Sequence, residues 1–129
     1  MFERLEISRE AYALATHAMT RQAAISANVA NADTPKYQAT DLPDFATAYR
    51  EGDGLQPLAT RVGHLARPDP EQSFELAARK IPGNESPNGN TVSLETELMK
   101  GAEVRQAYDM ALAIAKSTSG ILRSSLGRR

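Results

Sequence analysis

Few side chains in this sequence are of the kinds that carry out catalysis. There are two histidines, His17 and His64, and no cysteines. Neither histidine belongs to an HExxH zinc motif, and the sequence contains neither a GxSxG nucleophile motif nor a glycine-rich phosphate loop. Because no base is paired with a nucleophile, we expect His17 to lie on the surface of a helix rather than to act as a general base. The sequence therefore predicts no catalytic residues.

Three aspartates, Asp33, Asp41 and Asp44, are the best candidates for a cation site. Their spacing does not match a metal-ligand motif. Short polar side chains are common as helix caps and in solvated turns, and that explanation requires no bound ion. We expect neither a metal site nor a cofactor.

The charge balance limits the classes of partner. The chain has 15 basic and 16 acidic residues, for a formal net charge of −1. A broad cationic surface for nucleic acid or anionic lipid is therefore not predicted.

No stretch approaches the roughly 20 apolar residues of a membrane-spanning helix. The first ten residues carry charges of both signs, so we expect no cleaved signal peptide.

The prolines divide the chain into three parts. All seven fall between residues 35 and 87, and a proline-free arm lies on each side. Because proline interrupts helices, the two arms are predicted to be helical and the middle irregular. The predicted order is a helix at about 4–31, a turn at 32–40, a short helix at about 42–51 capped by Asp41, an irregular loop at 52–90 and a helix at about 93–127.

The first arm has apolar residues on two sides of the predicted helix. A helix with one partner needs a single apolar stripe, so two stripes of mostly small residues indicate contacts on two sides, as in a bundle or a polymer. An ordinary core helix of a small bundle is the alternative. One stripe is Leu5, Tyr12, Ala15, Met19, Ala23, Ala27 and Ala30, and the other is Ile7, Ala11, Leu14, Ala18, Ile25 and Val29.

The second arm has the spacing of a coiled-coil seam. Ser93 is its predicted N-cap, and two glutamates lie in the first turn. At 1.5 Å per residue the arms would be roughly 40 and 50 Å long, enough to pair along their lengths. The steps of four and three that define the seam join Leu94, Leu98, Gly101, Arg105, Tyr108, Leu112, Ala115, Ser119, Leu122 and Leu126. A second stripe is Val104, Ala107, Ala111, Ile114, Thr118 and Ile121.

These patterns predict an all-α fold in a single domain over residues 1–129. Long N- and C-terminal helices pair as an antiparallel coiled coil and are joined by a short helix and a long irregular loop rich in proline and glycine. The residues expected to serve helix packing and assembly are Leu5, Tyr12, Leu14, Met19, Leu94, Leu98, Tyr108, Leu112, Ile114, Ile121, Leu122 and Leu126.

A distinctive motif follows the first arm. Residues 27–37 read Ala-Asn-Val-Ala-Asn-Ala-Asp-Thr-Pro-Lys-Tyr. From the residue types alone, the two asparagines and Asp33 are expected to end the helix before Pro35. The stretch also resembles the ANxANxxTPGY signature of the flagellar rod, hook and hook-associated proteins. The residues assigned to this motif are Ala27, Asn28, Val29, Ala30, Asn31, Asp33, Thr34, Pro35 and Tyr37.

Other segments resemble the members of this family that build the proximal rod. They are Asp41–Phe45, Thr60 with His64–Leu65, and Asn88–Glu97, so the resemblance extends over essentially the whole chain. Lys36 stands where the family usually has glycine, so the turn either has a costly positive φ or is made differently. Ser93 stands where the family usually has aspartate, a conservative change of N-cap.

The resemblance implies a single rod-type domain that assembles helically into a hollow shaft, which transmits torque and passes exported subunits. Its partners would be further copies of itself, other rod proteins of the FlgC, FlgF and FlgG type, the rod-base adaptor FliE, the inner-membrane ring and the export gate. Its location would be the periplasmic rod of the flagellar basal body, reached by type III export without a cleaved signal. A cytoplasmic helical adaptor or export chaperone that binds a partner helix is the alternative.

Overall fold

The computed structural model describes residues 2–52, 79–80 and 86–127, and it describes side chains at 6–49 and 86–127. The predicted loop at 52–90, with Thr60 and His64, lies largely outside the described residues. None of the helices in the described ranges has an apolar stretch long enough to cross a membrane. The elements in chain order are helix α1 (Phe2–Ala30), strand β1 (Thr40–Asp41), helix α2 (Phe45–Gly52), strand β2 (Arg79–Lys80) and helix α3 (Leu94–Ser125).

The two long helices pack against each other in opposite directions. Asn28, near the end of α1, hydrogen-bonds to Glu97, near the start of α3. One turn away, Ile25 packs against Val104. Both helices lack proline and are rich in alanine and other strong helix formers, which explains their length. The predicted all-α fold with paired terminal helices is confirmed, and the two-residue antiparallel pairing of β1 with β2 is a minor addition to it.

Buried residues recur every seven positions on both helices, as expected for a coiled coil. Ala111 is completely buried at the centre of the α3 stripe. Small side chains at such positions allow the two backbones to approach closely. The buried stripe consists of Glu97, Val104, Ala111 and Thr118 in α3 and of Ala11, Ala18 and Ile25 in α1.

The seam predicted for α3 is wrong for the contact within the chain. Leu98 and Leu126 are 61% and 73% exposed, and Leu112 is 44% exposed. Around the helix, the half-buried Tyr108 lies between these exposed leucines and the buried stripe. The buried stripe shares some of its residues with the predicted second stripe. The second stripe contained Thr118 but not Glu97, because a hydrophobic pattern does not reveal a buried charged side chain. Thr118 satisfies its hydroxyl by donating to the Ile114 carbonyl oxygen.

The second covered side of α1 faces residues 37–49, which we call the strap. His17 is only 4% exposed and lies there with Ala13. Its Nε2 is 2.9 Å from the Pro43 carbonyl oxygen, and its ring meets Phe45 edge-on at 5.6 Å. The expectation of a surface histidine is therefore wrong. Contact on two sides of α1 is observed, but the second contact comes from the same chain.

Helix α2 begins later than predicted, and a different aspartate precedes it. Asp44 Oδ2 accepts a hydrogen bond from the Ala46 amide at 3.3 Å, in the first turn. Asp41 does not cap α2, because its backbone is extended in β1 and pairs with Arg79. Its buried carboxylate accepts instead from the Leu42 amide at 2.8 Å.

Candidate interaction site

The two motifs of the sequence meet where α1 ends and α3 begins. We call this region, formed by residues 28–41 and 88–100, the polar junction. The Lys36 amide donates to the Asn88 carbonyl oxygen, and the Thr91 amide donates to the Tyr37 carbonyl oxygen, both at 3.1 Å. The Ala39 amide donates to Thr91 Oγ1 at 2.8 Å. The segment leaving α1 is therefore hydrogen-bonded to the segment entering α3.

The Asn90 side chain hydrogen-bonds to the turn that follows the end of α1. Its Nδ2 lies 2.9, 2.7 and 2.9 Å from the carbonyl oxygens of Asn31, Ala32 and Thr34. Its Oδ1 accepts from the Val92 amide at 2.7 Å. The last carbonyl groups of a helix have no partner within the helix. A single, fully buried amide from the start of the other arm supplies donors for this turn.

Asn28 joins α1 to both the strap and α3. Its Oδ1 accepts from the Thr40 amide at 3.0 Å and its Nδ2 donates to the Thr40 carbonyl oxygen at 2.7 Å. The same Nδ2 donates to Glu97 Oε2 at 2.8 Å. The side chain thus pairs with the backbone of β1 as a neighbouring strand would. From the residue types alone Asn28 was expected to end the helix, and these contacts show that it also joins α1 to β1 and α3.

The turn itself contains a lysine in a left-handed conformation. Lys36 has φ 61°, the only positive φ among the non-glycine residues that the structure describes. Of the two alternatives that the sequence left open, the turn keeps the positive φ that glycine would adopt freely.

Upstream, Asn31 caps its own helix, since its Nδ2 donates to the Ala27 carbonyl oxygen at 2.8 Å. Ser93 occupies the N-cap position of α3, but its side chain makes no capping hydrogen bond.

Four charged side chains form a network that includes Glu97, the carboxylate bound to Asn28. Arg21 binds the Asp41 carboxylate through two hydrogen bonds, Nε to Oδ1 at 2.8 Å and Nη2 to Oδ2 at 3.0 Å. Lys100 Nζ lies 3.3 Å from Asp41 Oδ2 and 3.2 Å from Glu97 Oε1. Both carboxylates are buried, whereas the two cations reach solvent. Two negative and two positive charges therefore balance within the junction.

The pKa shifts follow from these contacts. Burial alone would raise the pKa of Asp41, but the hydrogen bond and charge of Arg21, together with the Leu42 amide and Lys100, outweigh it and hold that pKa below its ordinary value. The hydrogen bond to Asp41 raises the pKa of Arg21 against the opposing effect of burial. For Lys100, burial acts to lower the pKa, and the bond to Glu97 and the charge of Asp41 reverse the effect. Asp41, Arg21 and Lys100 thus remain charged at neutral pH.

This chemistry is suited to holding chain segments together. Among the described residues, every buried side-chain nitrogen and oxygen has a hydrogen-bond partner. Within the same ranges, no group of histidine and carboxylate side chains is arranged to hold a metal ion. The polar junction therefore links the end of α1, the strap and the start of α3 by hydrogen bonds.

Known proteins share both the motif and most of the chain. Residues 13–38 match the family model described as "Flagella basal body rod protein". The flagellar basal body rod protein FlgB of Agrobacterium fabrum is 32% identical over 107 residues, which cover 75% of each chain. FlgB of Cereibacter sphaeroides is 34% identical over 110 residues, 84% of each chain, and FlgB of Escherichia coli K12 is 37% identical over 102 residues, 72% of each chain. The chain belongs to the FlgB family of flagellar basal body rod proteins.

Membership in the FlgB family decides the class of function. The relatives are structural rod proteins, so the chain is a rod subunit and not an enzyme. Its place is the flagellar basal body, among the other proteins of that structure.

The residues predicted for packing and assembly lie mostly on the outside of this FlgB-family chain. Leu14, Tyr108 and Leu122 are half-buried, and the side chain of Leu5 lies outside the described ones. Their role in assembly stays a prediction. The exposed members are Tyr12, Met19, Leu94, Leu98, Leu112, Ile114, Ile121 and Leu126.

The charged residues of this site and Asn90 were not predicted as site residues. Arg21 and Lys100 went unnoticed, Asp41 and Glu97 were expected only at the starts of helices, and Asn90 was seen only as part of a resemblance. A signal for the first was present, since Arg21 is the only lysine, arginine, aspartate or glutamate between positions 11 and 32. A lone charge in such a segment requires a partner if it is covered. Nothing in the local sequence identifies that partner as Asp41.

Proposed function

We propose that the chain is a subunit of the proximal rod that assembles helically with further copies of itself and with rod proteins of the FlgC, FlgF and FlgG type. The assembled shaft transmits torque and passes exported subunits through its lumen. Membership in the FlgB family supports a rod role. The observation that carries the assembly is the apolar surface that remains after the two helices have paired.

That surface contains several large side chains. Leu98 and Leu112 lie on α3 outside the buried seam, Leu126 is the C-cap of α3, and Tyr12 and Met19 lie on α1. Exposed apolar patches of this kind mark interaction surfaces. The seam between α1 and α3 is already satisfied within the chain, so these residues are available to neighbouring subunits.

The location and remaining partners belong to the same proposal. The rod base would contact the adaptor FliE, the inner-membrane ring and the export gate. The chain would reach the periplasmic rod by type III export without a cleaved signal.

Two adjacent residues of α3 provide the test. Leu112 is exposed and apolar, and Ala113 beside it is exposed and small. In a motile strain whose own copy of the gene has been replaced, Leu112→Asp should abolish swimming and incorporation into purified basal bodies. Ala113→Asp, which introduces the same charge on another side of the helix, should preserve both.

Two results would count against the proposal. Normal rods built with Leu112→Asp would show that this surface does not hold the assembly. Recovery of the wild-type chain only from the cytoplasm, with none in basal bodies, would favour the adaptor alternative. Circular dichroism of both variants, in an osmolyte that favours the folded state, checks that the helices still form.

A further inference from the structure

Asn88 is the only asparagine in the sequence that is followed by glycine. In such a pair the backbone nitrogen of the glycine can reach the side-chain amide carbon of the asparagine, because glycine has no Cβ to hinder the approach. Asn88 is also exposed, so water has access to its side chain. Of the asparagines in this chain, Asn88 is therefore the one best suited to lose its amide group.

The loss of the amide requires water and no other reactant. The backbone nitrogen of Gly89 gives up its proton and forms a bond to Cγ of Asn88. The bond from Cγ to Nδ2 breaks, and ammonia leaves with that proton. Water then opens the cyclic imide at either of its carbonyl carbons, which gives aspartate or isoaspartate. In isoaspartate the main chain runs through the side-chain carbons and is one methylene group longer.

Hydrogen bonds in and beside the polar junction oppose each movement that ring closure requires. The Gly89 amide donates to the Ser86 carbonyl oxygen at 2.8 Å, so its proton is already shared. The Asn88 carbonyl oxygen accepts from the Lys36 amide at 3.1 Å, and Asn88 Oδ1 accepts from the Asn90 amide at 3.0 Å. The attacking nitrogen, the peptide unit and the side-chain amide are each held in place.

We propose that Asn88 is a deamidation site that the folded polar junction protects. Burial does not provide the protection, since Asn88 is exposed when the junction is formed. The rate of deamidation therefore follows the fraction of chains in which the junction is open. Protection of this kind belongs to the single chain and does not depend on rod assembly.

The modification also affects the junction in return. The additional methylene group of isoaspartate displaces the carbonyl oxygen that accepts from Lys36 relative to Thr91, whose amide donates to Tyr37. Both hydrogen bonds join the segment leaving α1 to the segment entering α3, and one of them is lost when their spacing changes. A chain that has formed isoaspartate at position 88 should therefore unfold at a lower temperature than the unmodified chain.

A variant that opens the junction without changing the reactive pair tests the protection. Asn90→Ala removes the hydrogen bonds to three carbonyl oxygens of the turn after α1 and keeps Asn88 and Gly89. In neutral buffer with an osmolyte that favours the folded state, it should deamidate about tenfold faster than wild type or more, because the open fraction rises. Gln106→Ala, which removes an exposed amide elsewhere on α3, should keep the wild-type rate.

Mass spectrometry measures the reaction at this one position. Trypsin releases residues 81–100 as a single peptide, and fragmentation of that peptide locates the gain in mass when the amide becomes a carboxylate. Labelling with isoaspartyl methyltransferase then shows which product forms. The mass gain is the deciding measurement, since Asp53, which also precedes a glycine, can form isoaspartate without a change in mass.

Wild-type chain in urea provides the rate for an open junction and should deamidate at least as fast as Asn90→Ala in the osmolyte. Absence of a mass gain at Asn88 in urea would show that the site is not reactive. Equal rates for wild type and Asn90→Ala in the osmolyte would show that the junction does not protect it. Faster deamidation at Asn84 than at Asn88 in urea would also contradict the assignment.

Discussion

At the scale of single residues, Lys36 occupies a turn position at which the family usually has glycine. Its φ of 61° lies in the region that glycine adopts without strain. A residue with a Cβ is held there at a cost of about 1–2 kcal/mol. The turn keeps this geometry because the Lys36 amide donates a hydrogen bond to the Asn88 carbonyl oxygen. In addition, both the amide and the carbonyl oxygen of Tyr37 are hydrogen-bonded.

Replacing Lys36 with glycine should therefore stabilise the folded chain. The relief of strain exceeds the entropy that glycine gains in the unfolded state, leaving a net gain of about 0.5–1 kcal/mol. Thermal unfolding followed by circular dichroism, in an osmolyte that favours the folded state, measures the change. Lys36→Ala is the matched control because it removes the amine and keeps the Cβ. An equal gain in both variants would show that the lysine side chain, and not the backbone, is responsible.

Asp41 provides a pH-dependent prediction. Its pKa in the folded chain lies below the ordinary value of 3.8, so the stability it contributes is complete above that value and is lost as the pH falls through the folded pKa. Asp41→Asn should cost about 2–3 kcal/mol at pH 7, between the values typical of exposed and buried ion pairs. The difference between variant and wild type should shrink on acidification below about pH 4.

Unfolding curves of both proteins at several pH values between 7 and 2 test this dependence. Asp33→Asn is the control, since Asp33 is an exposed aspartate of the turn and its replacement should leave the stability at pH 7 nearly unchanged. A gap between wild type and Asp41→Asn that stayed constant down to pH 2 would contradict the assigned role of the carboxylate.

At the scale of elements, the polar junction connects the exit of α1 to the entrance of α3. Asn28 reaches from α1 to the strap and α3, and Asn90 reaches from the start of α3 back to the end of α1. The seam between the helices is built mainly from small apolar residues and fixes their pairing. The junction makes this pairing more specific, because hydrogen bonds require particular partners whereas apolar contact does not.

Loss of the Asn90 amide should disconnect these elements. Asn90→Ala removes the donors to three carbonyl oxygens and the acceptor for Val92, and we expect a loss of about 2–4 kcal/mol in the free energy of unfolding. Amide exchange at Thr34 and Tyr37 should accelerate more than exchange along the central seam. Asn88→Ala, in which a single hydrogen bond to the Asn90 amide is lost, should cost about 1 kcal/mol. Similar losses in the two variants would show that the carbonyl contacts contribute little.

At the scale of the whole molecule, the chain is a helix pair with much of its apolar surface uncovered. Long helices that lack burial on their outer sides are marginal in water. We predict that the isolated chain is weakly helical and that its helicity rises with protein concentration, because neighbouring copies would cover its exposed apolar side chains. Circular dichroism across a dilution series measures this. A strongly helical, cooperatively melting monomer at low concentration would contradict the prediction.

Some features of this fold could be predicted from the sequence and others could not. The helical arms, the turn before Pro35 and the N-cap position of Ser93 follow from local properties: proline excludes helix, and helix formers favour it. The α3 seam could not be predicted from apolar spacing because Glu97, a charged residue, is buried with a partner on α1. The environment of His17 depends on Pro43 and Phe45, which only the folded strap brings near.

The sequence by itself determined that this protein has two long helices, an abrupt turn between them and the rod-family motif, because helix formation and termination depend on residues within a few positions of each other. The tertiary structure alone decided which face of each helix is buried and what the motif does. Those outcomes depend on partners far apart in the chain, such as Asn28 with Glu97 and Asp41 with Lys100. Buried polar groups must find such partners, and the local sequence does not specify where they lie.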